Sequence, residues 1–456
     1  MLHRIGMAAL LLMALGNPQA KAERNSPTAH ELSANRYQSI QEAIDANPGK
    51  MIHVPAGDYT IAEAIHIRAD HAGLYGSGRI VQTNPNAPII AIEGASGVRL
   101  SGISLARERD AMDTTAEAVL AIRSNDLDFD HLQIRDNRTR SGALVVRSCV
   151  GVRICGCLVE NYMRIAIDDR TSSTDWGYAF NCIDGSGIVV TDSQSTLIQG
   201  NRVIEKRLLP TPEIQKRFQL GRIIKRSRHK GTIISEETWK SDSVKNWHQG
   251  SAIVVTAPDS SDSVQILGNY VENAAQGIDI HADHVIISHN IVNNAFVGMK
   301  AMHGSRHVLV LGNQFIKNDL WSIGLMPGAL SHAARSDGDG GGPAEANVDG
   351  GSIIANNIIS DFGYGHAHWI WGNNGSPIKL DTGQKPTNPP LSDVVIQGNI
   401  VYDTGRDEAG AGGDSKGARP RYRYAISVAS DVVGLHCSNN ILHPGSKGIS
   451  NVRLKP

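Results

Sequence analysis

Cysteine is scarce and odd in number: Cys149, Cys155, Cys157, Cys182 and Cys437. Five thiols do not make a disulfide framework. Cys155 and Cys157 stand two apart, on one side of a strand, and read as small buried residues; a metal site wants more donors at closer spacing. Net charge is nearly absent too, with 44 Lys and Arg against 45 Asp and Glu. Such a chain is not a polyanion binder by bulk charge, and nucleic acid is not an expected partner. Beyond the N-terminus no stretch is apolar enough to span a bilayer, and no membrane span is expected in the mature chain. The one apolar run, 5–16, is itself short. It follows the basic start Met1-Leu2-His3-Arg4 and precedes Ala20-Lys21-Ala22, a small-x-small cleavage site. Residues 1–22 therefore read as a secretory signal, 23–36 as a polar leader, and 37–456 as the folded domain of a secreted or periplasmic protein.

What is present is repetition. The 47 glycines and 41% hydrophobic content suit many tight turns around a large core. A phrase of alternating apolar residues, then Asn, then a second apolar run recurs at Asn201, Asn269, Asn290, Asn313, Asn357, Asn399 and Asn440. The steps 269–290 and 290–313 are 21 and 23 residues, the period of a solenoid rung. The later steps of 44, 42 and 41 read as about two rungs each. Alternation places Val264 and Ile266 inside and Gln265 outside. Short strands joined by turns at this period predict an all-β, single-stranded parallel β-helix, with the asparagines stacked as an internal ladder.

The start of the domain, 37–61, has a different character. Ser39 and Glu42 fit a capping box, Ile40, Ala43 and Ile44 form one helix face, and Asn47-Pro48-Gly49 stops the helix. A short amphipathic helix here covers the open end of a solenoid. The strings SIQEAID and HVPAGDY resemble the opening of the pectate-lyase-like superfamily of right-handed β-helix proteins. With the repeats, the resemblance covers roughly 37–454. It implies a right-handed helix; the superfamily includes lyases, hydrolases, epimerases and non-catalytic binders.

One long segment breaks the repeat. Residues 206–249 hold eleven Lys and Arg against four Asp and Glu, an excess of seven positive charges, with Trp239 and Trp247 in the second half. Long insertions on rigid scaffolds carry function. Bases such as Arg228 and Lys230 suit the carboxylates of an acidic polysaccharide, and indoles stack on sugar faces. Arg123 and Arg147 recur at matching places in early rungs and join the candidate binding residues. The string GHAHWIWGNN from Gly365 gathers histidines and tryptophans that either line a cleft or pack a rung.

Aligning the rungs that open at Gly277 and Gly298 separates repeat residues from unusual ones. Asp279 falls beside Lys300, His281 beside Met302, Asp283 beside Arg306 and His284 beside His307. The last pair occupies a turn position and reads as structural. Asp279, His281, Lys300, His303 and Arg306 are expected to project outward on two adjacent rungs. The phrase MHGSRHVLVLGNQF resembles a motif of β-helix alginate and chondroitin lyases. His303 and Gly304 match; the arginine of that motif corresponds to Met302. The reading that follows is a lyase cleaving a uronic-acid-containing polysaccharide by β-elimination. Lys300 would be the base, Arg306 the carboxylate clamp, His303 or His281 the acid, and Asp279 a substrate-binding residue. No cofactor is required, although Asp279 and Asp283 could instead hold Ca²⁺. Three alternatives stand beside it. A glycoside hydrolase would need two carboxylates, and the polygalacturonase signature is missing. A C5-epimerase shares the proton abstraction, but its Asp-Pro-His-Asp string is missing. A non-catalytic matrix binder needs no base.

Overall fold

The computed structural model describes residues 32–454, apart from 173–174, 226–228, 233, 337–342, 366–374, 384, 386, 405–419 and 430–431. The signal and its cleavage site, and most of the GHAHWIWGNN string, lie outside the described residues. Among the described residues no helix is long and apolar enough to cross a membrane.

Each rung contributes one short strand to each of three twelve-stranded parallel sheets, which begin at Met51–Val54, Asp58–Ile61 and Ile65–Ile67. The register is in step from rung to rung. Ile266, Ile287, Val310, Ile354 and Ile396 form one column, and none of them is solvent-accessible. Like residues stack because neighbouring strands lie about 4.8 Å apart and the side chains alternate between core and solvent.

The asparagine ladder forms as the repeat predicts. Each Nδ2 donates to the Oδ1 of the next rung, at 2.9–3.0 Å from Asn201 through Asn269, Asn290, Asn313, Asn357 and Asn399 to Asn440. The other amide hydrogen donates to a backbone carbonyl of an adjoining rung, as from Asn290 to Ile266 O at 2.8 Å. Cys157 begins the ladder, its backbone N–H donating to Asn201 Oδ1 at 2.9 Å. The later steps need correction. Asn313 and Asn357 are direct neighbours, as are Asn357 and Asn399. Each step of 41–44 residues is thus one rung, and the surplus is loop, for example between the strands Trp321–Leu325 and Gly350–Ala355.

The N-terminal helix is Ile40–Asp45, with Ile40, Ala43 and Ile44 buried against the first rung. Ser39 Oγ accepts from Glu42 N at 3.0 Å, while Glu42 reaches back to Gln38 N rather than to Ser39 N. Gln41 does more than cover the end. Its amide accepts from His66 N at 2.7 Å and donates to His66 O at 3.2 Å, pairing with the exposed edge of the strand Ile65–Ile67. Ser39→Ala should lower stability by about 1 kcal/mol. Urea melts of the two proteins check this, and an unchanged midpoint would show that the cap adds nothing.

Departure from the solenoid starts earlier than the basic segment. Strands Arg164–Asp169, Ala179–Asp184 and Ile223–Ile224 build a separate antiparallel sheet at the side. Both excursions are pinned at their root by Glu205. This buried carboxylate accepts from Arg138, Met163 N, Arg207 N and Leu208 N at 2.9–3.2 Å.

Candidate active site

The third sheet has an outer face on which one row reads, rung by rung, Val254, Asp279, Lys300, Gly324 and Lys379. The adjoining row reads Thr256, His281, Met302. The pairing of Asp279 with Lys300 is the one expected from the alignment. Asp279 is 6% exposed, far below what an outward carboxylate on a bare sheet would show. Lys300 Nζ lies 3.5 Å from its Oδ1 and His281 Nε2 3.0 Å from the same atom, the latter out of line for a good hydrogen bond. Ser251 Oγ lies 3.5 Å from Oδ2. Burial alone raises the Asp279 carboxyl, but the Lys300 ammonium and His281 outweigh it and hold the group well below the usual carboxylate range. An ionised carboxylate thus sits between the Lys300 ammonium and the His281 imidazole on the surface of a rigid sheet.

His303 follows in the turn, with φ +66°. Its ring meets His281 edge-on, with centroids 4.5 Å apart. Burial, with His281 and Lys300 adding to it, pushes its pKa down to about 3, so the ring is neutral at pH 7. Leu330 N donates to Nδ1 at 3.4 Å, which places the ring proton on Nε2. Glycine is required at two contacts around this turn. A Cβ on Gly328 would come within 2.0 Å of His303 Nδ1, and one on Gly304 within 1.6 Å of Asn347 Oδ1. Asp349 locks the same turn from behind. It accepts from Gly304 N at 2.9 Å, Ser305 N at 3.0 Å and Ser331 Oγ at 2.5 Å, and burial pushes its pKa up to about 6.

The basic segment reaches this face at its C-terminal end. It rejoins the solenoid at Ser251–Thr256, and Gln276 Nε2 donates to Gln249 O at 3.3 Å. Just before that, His248 is fully buried against Met163, and burial lowers its pKa to about 3. A histidine held neutral in the fold but free to protonate when unfolded favours unfolding below its ordinary value of 6.5. Stability from this residue therefore falls as pH drops from 6.5 toward 3, by ~3 kcal/mol at pH 4. His248→Leu should flatten that limb of the pH–stability curve. Equal acid sensitivity in both proteins would assign it to other groups.

Other residues singled out in the sequence fall elsewhere. Arg306 does not face Lys300; it turns the corner onto Asp283, with Nε and Nη2 both 3.0 Å from Oδ2. Asp279 and Asp283 each have their own cationic partner, Lys300 at 3.5 Å and Arg306 at 3.0 Å. Trp247 is 2% exposed and packs in the core, so it offers no sugar platform. Trp239 is half-buried, with Lys225 Nζ 5.4 Å from its ring centroid. Lys230 is engaged by its own loop, donating to Ile234 O at 2.9 Å and Gly231 O at 3.2 Å. Arg228 lies outside the described residues. Arg147 stands three rungs from His281, about 14 Å by strand spacing, and Arg123 lies beyond it, paired with Glu93.

Two features escaped the sequence reading. Trp321 is half-buried one rung past Lys300 and lies against Gly324, where a Cβ would come within 2.6 Å of its ring. A glycine in a row that otherwise holds side chains was the available signal. The string Asp279-Ile280-His281-Ala282-Asp283 also keeps the aspartate and histidine of the epimerase string, with isoleucine for proline and the second aspartate one residue later.

No protein-family model and no curated protein matches the sequence. Solved structures do match. The catalytic domain of Agl-KA has a TM-score of 0.56 at 11% identity, over 91% of this chain and 66% of that one. The Azotobacter vinelandii mannuronan C-5 epimerase AlgE6 A-module has a TM-score of 0.49 at 13% identity, over 91% of this chain and 100% of that one. A PL6 alginate lyase in complex with a trisaccharide has a TM-score of 0.45 at 12% identity, over 90% and 84%. At such identities the likeness is one of fold. With three parallel sheets in register around one core, that fold is a parallel β-helix.

Proposed function

We propose that this protein acts on a uronic-acid-containing polysaccharide by removing the proton at C5, with β-elimination as the leading outcome. The observation that carries the reading is the buried Asp279 carboxylate between His281 and Lys300 on adjacent rungs, with neutral His303 against His281. An imidazole beside an ionised carboxylate is a general base whose protonated form is stabilised as it forms. His281 takes that role, with Asp279 Oδ1 3.0 Å from its Nε2. Lys300, expected above to be the base, suits a different one: an ammonium with an ionised counter-ion 3.5 Å away is better placed to hold the uronate carboxylate than to accept a proton. Lys379, two rungs further along the same row, would hold the carboxylate of a neighbouring sugar, and Trp321 lies between them as a stacking surface. His303 Nε2–H points to the remaining task, donation to the leaving oxygen, in the manner of a neutral imidazole electrophile.

In the elimination the C5–H bond breaks and its proton goes to His281. The electron pair forms the C4–C5 double bond, the C4–O bond breaks, and the leaving oxygen takes a proton. A second reading, C5 epimerisation, is favoured by the Asp279-Ile280-His281 string; the first step is the same, and a proton returns to C5 from the opposite face. Hydrolysis is less well supported. Asp279 and Asp381 are three rungs apart, about 14 Å by strand spacing and beyond the carboxylate separation of either glycosidase geometry. Asp349 has its oxygens taken by Gly304 N, Ser305 N and Ser331 Oγ.

The test is a screen on alginate, pectate, glycosaminoglycans and bacterial exopolysaccharides. Absorbance from a new unsaturated uronate supports elimination, and solvent deuterium entering C5 without chain cleavage supports epimerisation. New reducing ends without that absorbance would mean a hydrolase and end the proposal. So would saturable binding with no chemistry, the behaviour of a matrix protein.

A further inference from the structure

The passage from the third sheet to the first takes two residues, 281–282, on one rung and twenty-four, 326–349, two rungs later. The scaffold does not need that length, and surplus loop on a rigid solenoid is where function gathers. The first turn of this loop, 328–331, lies against the imidazole of His303. A Cβ on Gly328 would stand 2.0 Å from Nδ1 and 2.6 Å from Cγ. The ring is thus held between this turn on one side and His281 on the other, with Leu330 N–H donating to Nδ1. The Leu330 side chain is 58% exposed, so apolar burial does not keep the turn in place.

Side-chain amides from two other segments do. Asn388, in the loop after the strand Ser376–Leu380, donates from Nδ2 to Gly328 O and to Ser331 O, both at 2.9 Å. Its Oδ1 accepts from Lys385 N at 2.8 Å. Asn347 Nδ2 donates to His303 O at 3.0 Å and to Leu330 O at 2.9 Å. We infer that Asn388 is a positioning residue for His303: it clamps the 328–331 turn onto the ring from the following rung, fixing the imidazole and shielding its Nδ1 edge from water. The link spans three consecutive rungs, since His303, the turn and Asn388 each follow successive strands of the third sheet. An amide suits the task. Its two N–H groups meet two carbonyls and its carbonyl meets a backbone N–H, whereas a carboxylate would set lone pairs against both carbonyls. The bearing of this clamp on the reaction rests on the role proposed above for His303 Nε2–H; the placement of the ring does not.

The experiment follows the ring nitrogens of His303 by NMR in the whole chain without substrate, the signals assigned by their loss in His303→Gln. Asp279, His281 and Lys300 face the ring from the sheet, and Asp349 lies behind its turn; all four stay in every variant. Ring nitrogen shifts report protonation of the imidazole itself, apart from that of Asp349 at about 6. In the wild type, burial holds the ring pKa at about 3, and the signals should not move between pH 8 and pH 5. In Asn388→Ala the turn loosens, water reaches Nδ1, and the ring should titrate at about pH 5–6.5. Gly328→Ala, whose methyl wedges the turn off the ring, should do the same through a different residue. Asn388→Ala should keep the wild-type circular dichroism, because Gly328 O retains Ser331 N at 3.0 Å. A folded Asn388→Ala whose His303 titrates as in the wild type would overturn the inference. On the true substrate, kcat of Asn388→Ala should fall by about 10–100-fold with KM little changed. A shifted titration with unchanged kcat would confirm the clamp and remove His303 from the reaction.

Discussion

Replacing His281 by alanine is expected to lower turnover on the true substrate by roughly 10²–10⁴, the usual worth of a general base, with little change in thermal midpoint. The side chain is outward-facing, and Asp279 beside it keeps Lys300 as a partner. The loss should appear in kcat rather than in binding, because the proton moves only in the transition state. Lys300→Ala is a poorer probe than the sequence suggests. It strands an ionised carboxylate that is 6% exposed, and breaking such a pair costs about 3–5 kcal/mol on its own. The double variant Asp279→Asn, Lys300→Met removes both charges together and separates chemistry from folding. Turnover near wild type in His281→Ala and in that double variant would place the site elsewhere. The next face to examine would then be the side sheet, where Arg170 lies 4.4 Å over Trp176 and pairs with Asp168 at 3.1 Å.

The largest stability effect is expected inside the solenoid. Asn290 makes four side-chain hydrogen bonds, all buried: it donates to Ile266 O and Asn313 Oδ1 and accepts from Asn269 N and Asn269 Nδ2 at 2.8–2.9 Å. Asn290→Ala leaves two donors and a carbonyl without partners where no bulk water reaches. At about 1–3 kcal/mol for each unsatisfied group, with partial relaxation, the loss is roughly 3–5 kcal/mol. Because each rung contacts only its neighbours, the damage should be local. Hydrogen exchange should quicken around Asn269 and Asn313 while the first rungs stay protected. Uniform loss of protection along the whole chain would mean that the solenoid unfolds as one unit.

The ladder and the capping helix were legible because both are written at fixed spacing: asparagine at 21 and 23 residues, and Ser39 three before Glu42. The same logic placed Asp279 beside Lys300 correctly, since strand alternation leaves no freedom once the register is set. It failed where chain length enters. A 44-residue step can be two rungs or one rung and a loop, and hydrophobic periodicity inside the loop does not say which. Cys157 lies 44 residues before Asn201 and heads the ladder, so the ambiguity was present at both ends. Direction was the second failure. Arg306 is only three residues past His303, but the corner lies between them, and the guanidinium serves Asp283 instead of the sheet face. Trp247 was read as exposed because its neighbours in sequence are charged, yet the insertion folds over it and buries it.

The in-step register also limits how such a protein can change. On the outer face, residues occupy a lattice whose steps are about 4.8 Å along the axis and, for same-side residues, about 6.6 Å along a strand. A functional group can be relocated by one whole step or not at all, because the stacked asparagines forbid any slide between rungs. Fine adjustment of fit to a ligand must then come from the lengths and tips of the loops, which can be exchanged without disturbing the pitch. New specificity on this scaffold would thus evolve as coarse moves on the strands followed by continuous tuning at the turns.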